Sequence, residues 1–303
     1  MEDLKIGMVG LDTSHAVAFT RLLNDPLDPH HVRGGKVVKA FPGGSSHLEL
    51  SASRIEKFTE AVRGYGVEIV DSLEKAVEGT DAILLESVDG GIHLEQLRKL
   101  VVYQEPIFID KPFSLKTNDA VEMVRLGERH HTPIMSTSAL RFAEALRKVA
   151  GRRDLGEIIG ADCFGPMELQ ESQPGFFWYG IHSVEMLFTL LGEGAERVAV
   201  FSNDTHDSIV ASWKGGRFGT VRGNRAGNHQ FGALVHFEKG TEYVGIQADS
   251  KPFYASLVEE IMDFFQDGVT RVPLRETLEI IRFIEAANES RETARPVSVQ
   301  SGQ

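Results

Sequence analysis

Short apolar runs alternate with helical segments through the first 138 residues, and this alternation limits the fold more than any other feature. The apolar runs at residues 81–85 and 107–109 are too short for helices, so they predict strands buried on both faces. Segments such as 117–130 show helical spacing between such runs. Repeated strand–helix units predict an α/β fold with a doubly wound parallel sheet, right-handed crossovers and helices on both faces.

Beyond about residue 140 the pattern changes to a series of strand-like runs with turn residues between them, which favours an antiparallel sheet in a second α/β domain. These runs span residues 196–203, 207–213, 217–223, 230–237 and 241–247. Closing helices are predicted at 254–266 and 274–289, and residues 297–303 are expected to fray. We therefore predict two domains, 1–138 and 139–303.

The charge balance excludes two classes of partner. The 303 residues contain 32 Lys and Arg against 44 Asp and Glu, which gives a formal net charge of −12. No basic stripe is visible, so no nucleic-acid partner is expected. No apolar run approaches the roughly 20 residues that span a bilayer, and the charged start lacks the features of a signal peptide. Cys163 is the single cysteine, so no disulfide forms within the chain, and we predict a cytoplasmic protein with no membrane partner.

A strand at residues 4–10 runs into a turn and then a helix, which is how a dinucleotide-binding (Rossmann-type) unit begins. Asp12 and His15 stand where the second and third glycines of the usual fingerprint are expected. A carboxylate at Asp12 would repel phosphate unless it is turned away. We predict that the whole turn contacts a cofactor: Gly10, Asp12, Thr13, Ser14 and His15. The alternative is a capped helix start that binds nothing.

The chain lacks the Asp or Glu that usually follows the second strand and binds the ribose 2′-hydroxyl of NAD. Ser45, Ser46 or Arg54 would accommodate a 2′-phosphate, so the choice between NAD and NADP stays open. Ser87 and His93 follow the strand at 81–85, at its carboxyl end, and both are predicted to contact the cofactor. For His93 a purely structural role is the alternative.

Asp110, Lys111 and Pro112 follow the strand at 107–109, at the edge of the sheet where open α/β folds bind ligands. Pro112 fixes its own φ and holds Lys111 extended, so the lysine side chain has a defined direction. The alternative is a solvated charge pair, since such pairs are common. No metal site is predicted, because the histidine and acidic clusters in the turns lack further ligands at suitable spacing.

Six motifs occur along almost the whole chain: 5–10 (Lys-Ile-Gly-Met-Val-Gly), 110–112 (Asp-Lys-Pro), 141–142 (Arg-Phe), 155–158 (Leu-Gly-Glu-Ile), 180–182 (Gly-Ile-His) and 284–287 (Ile-Glu-Ala-Ala). In order and spacing they resemble the glucose-fructose oxidoreductase / inositol dehydrogenase family, the Gfo/Idh/MocA group. The resemblance implies NAD or NADP as cofactor and hydride transfer at a hydroxyl carbon of a sugar, polyol or related compound. It also implies an open antiparallel sheet that makes contacts in a homodimer or homotetramer.

By motif match, the resemblance implies that Lys111 and His182 are the catalytic pair, with a peptide bond before Pro112 that is often cis. His182 is then the base that takes the hydroxyl proton, and Lys111 stabilises negative charge on the same oxygen. Asp110 holds Lys111 in place or contacts the cofactor, and Lys111 itself is also predicted to contact the cofactor. Arg141 is a candidate ligand for a substrate hydroxyl or carboxylate, with a structural ion pair as the alternative.

Trp178 stands where the family usually has an aspartate, four residues before the histidine, and Tyr179 is a candidate substitute acid. Substrate contacts are predicted from five side chains: Lys111, Arg141, Trp178, Tyr179 and His182. The departures at Asp12 and Trp178 leave two other functions open. One is a redox-inactive regulatory protein that binds a sugar or nucleotide. The other is a lyase or glycosidase that uses a tightly held NAD.

Overall fold

The computed structural model of this chain describes residues 3–45, 48–171 and 173–299. The chain divides into two compact units. Unit 1 comprises the described residues up to Ser114, with Asn118–Thr137 and Tyr254–Leu274. Unit 2 comprises Leu115–Thr117, Ser138–Phe253 and the described residues from Arg275 onward. The helix predicted at 254–266 therefore belongs to unit 1, and the division into independent domains at residue 138 stays a prediction.

Unit 1 is built around a parallel sheet. Its strands are β1 (Leu4–Val9), β2 (Gly35–Phe41), β3 (Glu68–Ile69), β4 (Ala82–Leu85), β5 (Ile107–Ile109) and β6 (Ile134–Ser136). Their order across the sheet is β3-β2-β1-β4-β5-β6, and every neighbouring pair is parallel. All residues of β4 and β5 are buried, as expected for strands covered on both faces. The predicted doubly wound parallel sheet is confirmed.

The helices follow the alternation seen in the sequence. They are α1 (Ser14–Asn24), α2 (Glu49–Ala52), α3 (Ile55–Gly64), α4 (Leu73–Val77), α5 (His93–Leu100), α6 (Thr117–His130), α7 (Glu144–Ala150), α8 (Gly180–Leu191), α9 (Phe253–Asp267) and α10 (Leu274–Thr293). Helix α1 shows why they form. Thr13 caps it by accepting the backbone N–H of His15, and its buried residues include Phe19, Leu22 and Leu23 at helical spacing.

Unit 2 contains a mainly antiparallel sheet, as predicted. Its strands are β7 (Ile158–Pro166), β8 (Ala195–Ser202), β9 (His206–Trp213), β10 (Phe218–Asn224), β11 (Gly232–Phe237), β12 (Gly240–Gly245) and β13 (Val297–Ser298). Their order is β12-β11-β7-β10-β9-β8-β13. Neighbours are antiparallel except for β7 and β10, which pair in parallel.

The two faces of this sheet differ in polarity and cover. Trp213 is fully buried on one face, where its ring lies 5.5 Å from Phe188 of α8 and 5.8 Å from Phe283 of α10. The opposite face carries exposed apolar side chains: Phe201, Phe218, Leu234 and Tyr243. Exposed apolar surface of this kind marks interaction sites more often than scattered single residues do.

The expectation that residues 297–303 fray is wrong for the first three of them. Val297 and Ser298 pair with β8, and the Val299 N–H donates to the carbonyl of Glu196. Residues 300–303 lie outside the described part of the chain. Among the described residues, no helix is both long and apolar enough to cross a membrane.

Candidate functional site

Strands β1, β4 and β5 are neighbours in the parallel sheet, so their carboxyl ends lie at one edge of unit 1. Gly10, Ser87 and Lys111 follow these strands, and the sheet therefore brings together three of the predicted site residues. Gly10 adopts a positive φ of 94°, and a Cβ there would lie 2.4 Å from the Ser87 backbone nitrogen. Only glycine allows this approach without strain.

Asp12 is turned into the protein and away from solvent. Its Oδ2 accepts the hydroxyl of Ser51 at 2.6 Å, and its Oδ1 accepts the backbone N–H of Val88 at 3.0 Å. Burial raises the pKa of Asp12, while these two hydrogen bonds act in the opposite direction. The carboxylate at the second glycine position thus joins the turn after β1 to helix α2 and to the loop after β4.

The three predicted phosphate donors after Asp12 have different surroundings. Thr13 is buried as the cap of α1, and Ser14 is exposed at the first position of the helix. His15 is buried, and its Nδ1 lies 2.8 Å from Oδ2 of Asp110. Its ring packs against Phe19 and Tyr254, with centroids 5.6 and 5.0 Å away. Ser14 is therefore the one of the three that faces solvent.

Ser45 is buried in the loop after β2, and its hydroxyl donates to Oδ2 of Asp89 at 2.8 Å. The other carboxylate oxygen of Asp89 accepts the N–H of Gly91 at 2.8 Å. Arg54 is partly exposed, whereas Ser46 lies outside the described residues. Asp89 was not among the predicted site residues, because a ribose-binding acid is expected after the second strand. Its position in a Gly-rich loop after β4 was the signal available.

Ser87 and His93 are both fully buried. The Ser87 hydroxyl accepts a hydrogen bond from the side chain of Gln96 at 2.8 Å. His93 Nε2 lies 2.8 Å from the Ser87 carbonyl, and Nδ1 lies 3.2 Å from the Phe113 carbonyl. Both ring nitrogens are thus engaged by the protein itself, which favours the structural alternative for His93. A cofactor contact from either residue stays a prediction.

Asp110 and Lys111 are buried, so they are not the solvated pair that the sequence allowed as an alternative. The Lys111 backbone N–H donates to Oδ1 of Asp110 at 2.8 Å, and the bond from Lys111 to Pro112 is cis. Burial acts to raise the pKa of Asp110, but His15 and Lys111 outweigh it and hold that pKa below its usual value.

Glu86 was not predicted. It follows β4 and is fully buried, and among the described residues neither of its carboxylate oxygens has a hydrogen-bond partner. Burial and the charge of Asp110 raise the pKa of Glu86 well above its ordinary value, against the opposing charge of Lys111. A charged residue that interrupts an apolar strand end was the only sequence signal for it.

In unit 2 the predicted base, His182, lies in the first turn of α8 and is partly exposed. Its Nδ1 is 2.7 Å from the Ser138 hydroxyl, a partner that the sequence argument missed. The rings of Tyr179 and Phe231 approach it edge to face at 5.7 and 5.9 Å, and Trp178 lies beside Tyr179 at 6.1 Å. These contacts give the imidazole a defined orientation.

Ser138 is held by a buried group of charges. Its backbone N–H donates to Oε1 of Glu185 at 3.1 Å, and Arg141 Nε donates to the other oxygen at 2.9 Å. Arg141 also forms an ion pair with Glu276 at 2.7 Å. Burial raises the pKa of Glu276, and the guanidinium of Arg141 opposes that shift. Arg141 is therefore engaged in an ion pair, the alternative left open above, and its substrate contact stays a prediction.

The parallel sheet with polar side chains at its carboxyl edge, in one chain with a mainly antiparallel unit, is a fold shared with solved structures of inositol dehydrogenases. No protein-family model matches the sequence, and comparison with curated proteins finds no match. Solved structures match over the whole chain, which confirms the fold implied by the Gfo/Idh/MocA resemblance.

Three of these structures are from two organisms. The apo scyllo-inositol dehydrogenase of Lactobacillus casei is 15% identical, with a TM-score of 0.80 and 99% of both chains covered. The myo-inositol dehydrogenase of the same organism, in complex with NAD(H) and myo-inositol, is 14% identical with a TM-score of 0.80, covering 100% of this chain and 98% of that one. An oxidoreductase from Agrobacterium radiobacter in complex with NAD+, L-tartaric acid and magnesium is 17% identical with a TM-score of 0.76. The match covers 98% of this chain and 99% of that one. At these identities the likeness establishes the fold.

Proposed function

We propose that this chain is an NAD(H)-dependent oxidoreductase that transfers a hydride between the nicotinamide and a hydroxyl carbon of a sugar or polyol. The observation that carries the proposal is Lys111, which follows β5 at the carboxyl edge of the sheet with Asp110 beside it. In folds of this class ligands bind at that edge. The solved structures of the same fold include enzymes in complex with NAD(H) or NAD+.

The residues at the edge are compatible with a dinucleotide. Gly10 keeps the close backbone approach at the end of β1, and the exposed Ser14 begins a helix of 11 residues whose N-terminus favours an anion. The Asp12 carboxylate, which would repel phosphate, is occupied by Ser51 and Val88. Ser14 and the first turn of α1 would hold the pyrophosphate.

Asp89 favours NAD over NADP. From the loop after β4 it supplies a carboxylate to Ser45, which lies in the loop after β2 where the usual ribose-binding acid is missing. A carboxylate accepts hydrogen bonds from a ribose hydroxyl but repels a 2′-phosphate. We therefore expect the protein to bind NADH more tightly than NADPH.

The bound nicotinamide supplies the hydride acceptor or donor, and the protein moves the proton and stabilises charge. Lys111 stabilises negative charge on the substrate oxygen, and Asp110 positions its backbone. His182 takes the hydroxyl proton, since its ordinary pKa is nearest neutrality among side chains. Ser138 orients the imidazole through Nδ1 and so replaces the aspartate that is absent at Trp178.

The aromatic group beside His182 suits a substrate with several hydroxyls. Tyr179, Trp178 and Phe231 present ring faces and edges, and Tyr179 adds a phenolic hydroxyl. Flat apolar faces next to a few polar groups are typical of small-molecule sites. The exposed apolar face of the unit 2 sheet supports a homodimer or homotetramer, which light scattering would measure. A cytoplasmic location remains a prediction.

Fluorescence titration with NADH and NADPH is the first test, followed by a screen of polyols and sugars. Micromolar NADH binding with turnover of a polyol supports the proposal. Lys111→Ala and His182→Ala should each lower turnover by at least about 100-fold, the lower range for loss of an acid–base or charge-stabilising group. Lys99→Ala, an exposed lysine of the same unit, is the matched control and should leave turnover unchanged.

A second function, a redox-inactive binding protein, is favoured by the side-chain bond between Ser45 and Asp89 and by the buried Asp12. These polar groups fill the loops that usually surround the adenosine half of the cofactor. Absence of binding for both NADH and NADPH at millimolar concentration, together with tight sugar binding, would establish this function instead.

A further inference from the structure

Glu86 is a buried carboxyl group without a partner. It is 0% exposed, and neither oxygen accepts or donates a hydrogen bond within the described part of the protein. Buried side-chain oxygens nearly always have such partners, and a bound ion is one of the explanations for a buried carboxyl group without them. The reaction proposed above does not use Glu86, so the bound species is a separate question.

Two further metal-ligating side chains meet Glu86. His15 comes from the first turn of α1, and Asp110 directly follows β5. One ligand atom from each of the three residues lies within 4.8 Å of the other two, and all three residues are at least 94% buried, since their exposures are 6%, 0% and 1%. Three elements distant in sequence thus converge on one point.

The spacing suits a common ion. Two ligands bonded to one Zn²⁺ at about 2.1 Å lie roughly 3.0 to 3.4 Å apart, for right-angle to tetrahedral geometry. His15 Nδ1 and Asp110 Oδ2 are already 2.8 Å apart. The remaining separations are at most 4.8 Å, so a bound ion would draw the Glu86 carboxylate closer to the other two ligands.

We propose that His15, Glu86 and Asp110 form a binding site for one first-row divalent transition-metal ion, for which Zn²⁺ is the probe. One imidazole and two carboxylates match the preferences of Zn²⁺ and Mn²⁺, whereas Mg²⁺ prefers oxygen ligands alone. Three protein ligands leave a coordination position for water or a substrate oxygen, as in catalytic zinc sites. This assignment replaces the expectation that the chain has no metal site.

Lys111 is the competing cation. Its charge acts on both Glu86 and Asp110, so an ion must bind beside a fixed positive charge. Two carboxylates balance a divalent ion, and Lys111 then leaves the group with one net positive charge. Such a group attracts an anionic ligand or a substrate oxygen on which negative charge develops.

The test measures ion binding without nicotinamide or sugar, so its outcome is independent of the proposed dehydrogenase activity. Tag-free protein is stripped with EDTA, desalted and titrated with Zn²⁺ against a colorimetric zinc indicator. Wild type should bind one equivalent with a dissociation constant in the micromolar range or below. Co²⁺ bound at the site should give visible absorption bands. Addition of Mg²⁺ at the same concentration as Co²⁺ should not displace the bound Co²⁺.

Glu86→Gln is the decisive variant, because an amide has the shape of a protonated carboxyl group and should leave the fold intact. It should weaken Zn²⁺ binding by more than the roughly 10–100-fold typical for loss of an outer-shell partner. Glu95→Gln, on the exposed side of α5, is the matched control and should bind as wild type. Zn²⁺ should raise the Tm of wild type and Glu95→Gln but not of Glu86→Gln.

His15→Phe, which keeps the ring packing against Phe19 and Tyr254, should also abolish the Co²⁺ absorption and serves if Glu86→Gln does not fold. If wild type binds less than one equivalent of Zn²⁺ at micromolar concentration, the proposal is overturned. Glu86 would then hold a proton and not a metal ion. Binding by Glu86→Gln equal to that of wild type would also overturn it, because the ion would then lie elsewhere.

Discussion

Removal of the Arg141 guanidinium should destabilise unit 2 strongly. Arg141 lies between two buried carboxyl groups, with nitrogen–oxygen distances of 2.9 Å to Glu185 and 2.7 Å to Glu276. The three side chains are 10%, 5% and 12% exposed, so water replaces little of the lost attraction. Arg141→Met keeps most of the apolar stem and removes only the charge and its hydrogen bonds.

The expected loss is about 3–5 kcal/mol at pH 7, the usual range when one partner of a buried pair is removed. It should shrink in acid. Burial raises the pKa of Glu276, and Arg141→Met removes the guanidinium that opposes this shift, so the folded-state pKa of Glu276 rises further above its ordinary value. The folded variant then holds this proton more tightly than the unfolded chain does, so its stability relative to wild type recovers as the pH falls toward about 4.5. The loss is largest above the folded-state pKa of Glu276.

Urea unfolding followed by tryptophan fluorescence measures this change specifically. The chain has two tryptophans, Trp178 and Trp213, and both lie in unit 2. Arg275→Met is the matched control, because Arg275 pairs with Glu193 at 2.6 Å but is 77% exposed. It should change the unfolding midpoint little, since exposed pairs contribute little.

Adding Glu185→Gln and Glu276→Gln to Arg141→Met removes the orphaned charges and should restore most of the lost stability. A midpoint for Arg141→Met equal to that of Arg275→Met, or a loss that does not change between pH 7 and pH 5, would refute the reasoning. The first result would mean that the buried pair contributes no more than an exposed one. The second would mean that the loss comes from packing and not from charge.

Three other outcomes follow from the site geometry. Ser138→Ala should lower kcat by about 5–10-fold, the equivalent of one hydrogen bond of roughly 1 kcal/mol, and shift the pH profile of turnover, because His182 loses its Nδ1 partner. Asp12→Ala should lower the free energy of unfolding in urea by about 2–4 kcal/mol, because it removes the acceptor of the Ser51 hydroxyl and of the Val88 N–H. Asp12→Asn should exceed wild type in stability by a margin that grows as the pH rises above about 4, because burial raises the pKa of Asp12 in the folded state. Cys163 is buried and its pKa is raised by that burial, so Ellman's reagent should label it only after denaturation.

Local features of the sequence predicted the strands and helices well. The run Ile107–Ile109 is wholly apolar and bounded by prolines, and Thr13 is a good helix cap, so both elements could be derived from a few neighbouring residues. β13 could not, because a two-residue strand has no pattern of its own and exists only through its pairing with β8. Its formation depends on a strand about 100 residues earlier in the chain.

The hydrogen-bond partners within the candidate sites are even harder to predict from neighbouring residues, because they are distant in the sequence. Asp12 meets Ser51 and Val88, which are 39 and 76 residues away, and His15 meets Asp110 at a separation of 95. The sequence therefore predicts that the Asp12 carboxylate must turn away from a phosphate, but it does not predict which groups donate hydrogen bonds to that carboxylate. Ser138 and His182 are separated by 44 residues, and no pattern around either one points to the other.

The two departures from the glycine fingerprint are best understood as one arrangement. Asp12 accepts a hydrogen bond from the loop after β4, and His15 bonds to Asp110, the residue after β5. At each position, the side chain that stands in place of glycine connects two neighbouring strand ends. Changing Asp12 or His15 to glycine would therefore not restore an ordinary dinucleotide turn. It would remove the Asp12 acceptor of the Val88 N–H or the His15 partner of the Asp110 carboxylate, both of which are buried, and loosen the edge that positions Lys111. The strand edge is therefore held together by polar side chains in addition to the close backbone approach of Gly10 to Ser87.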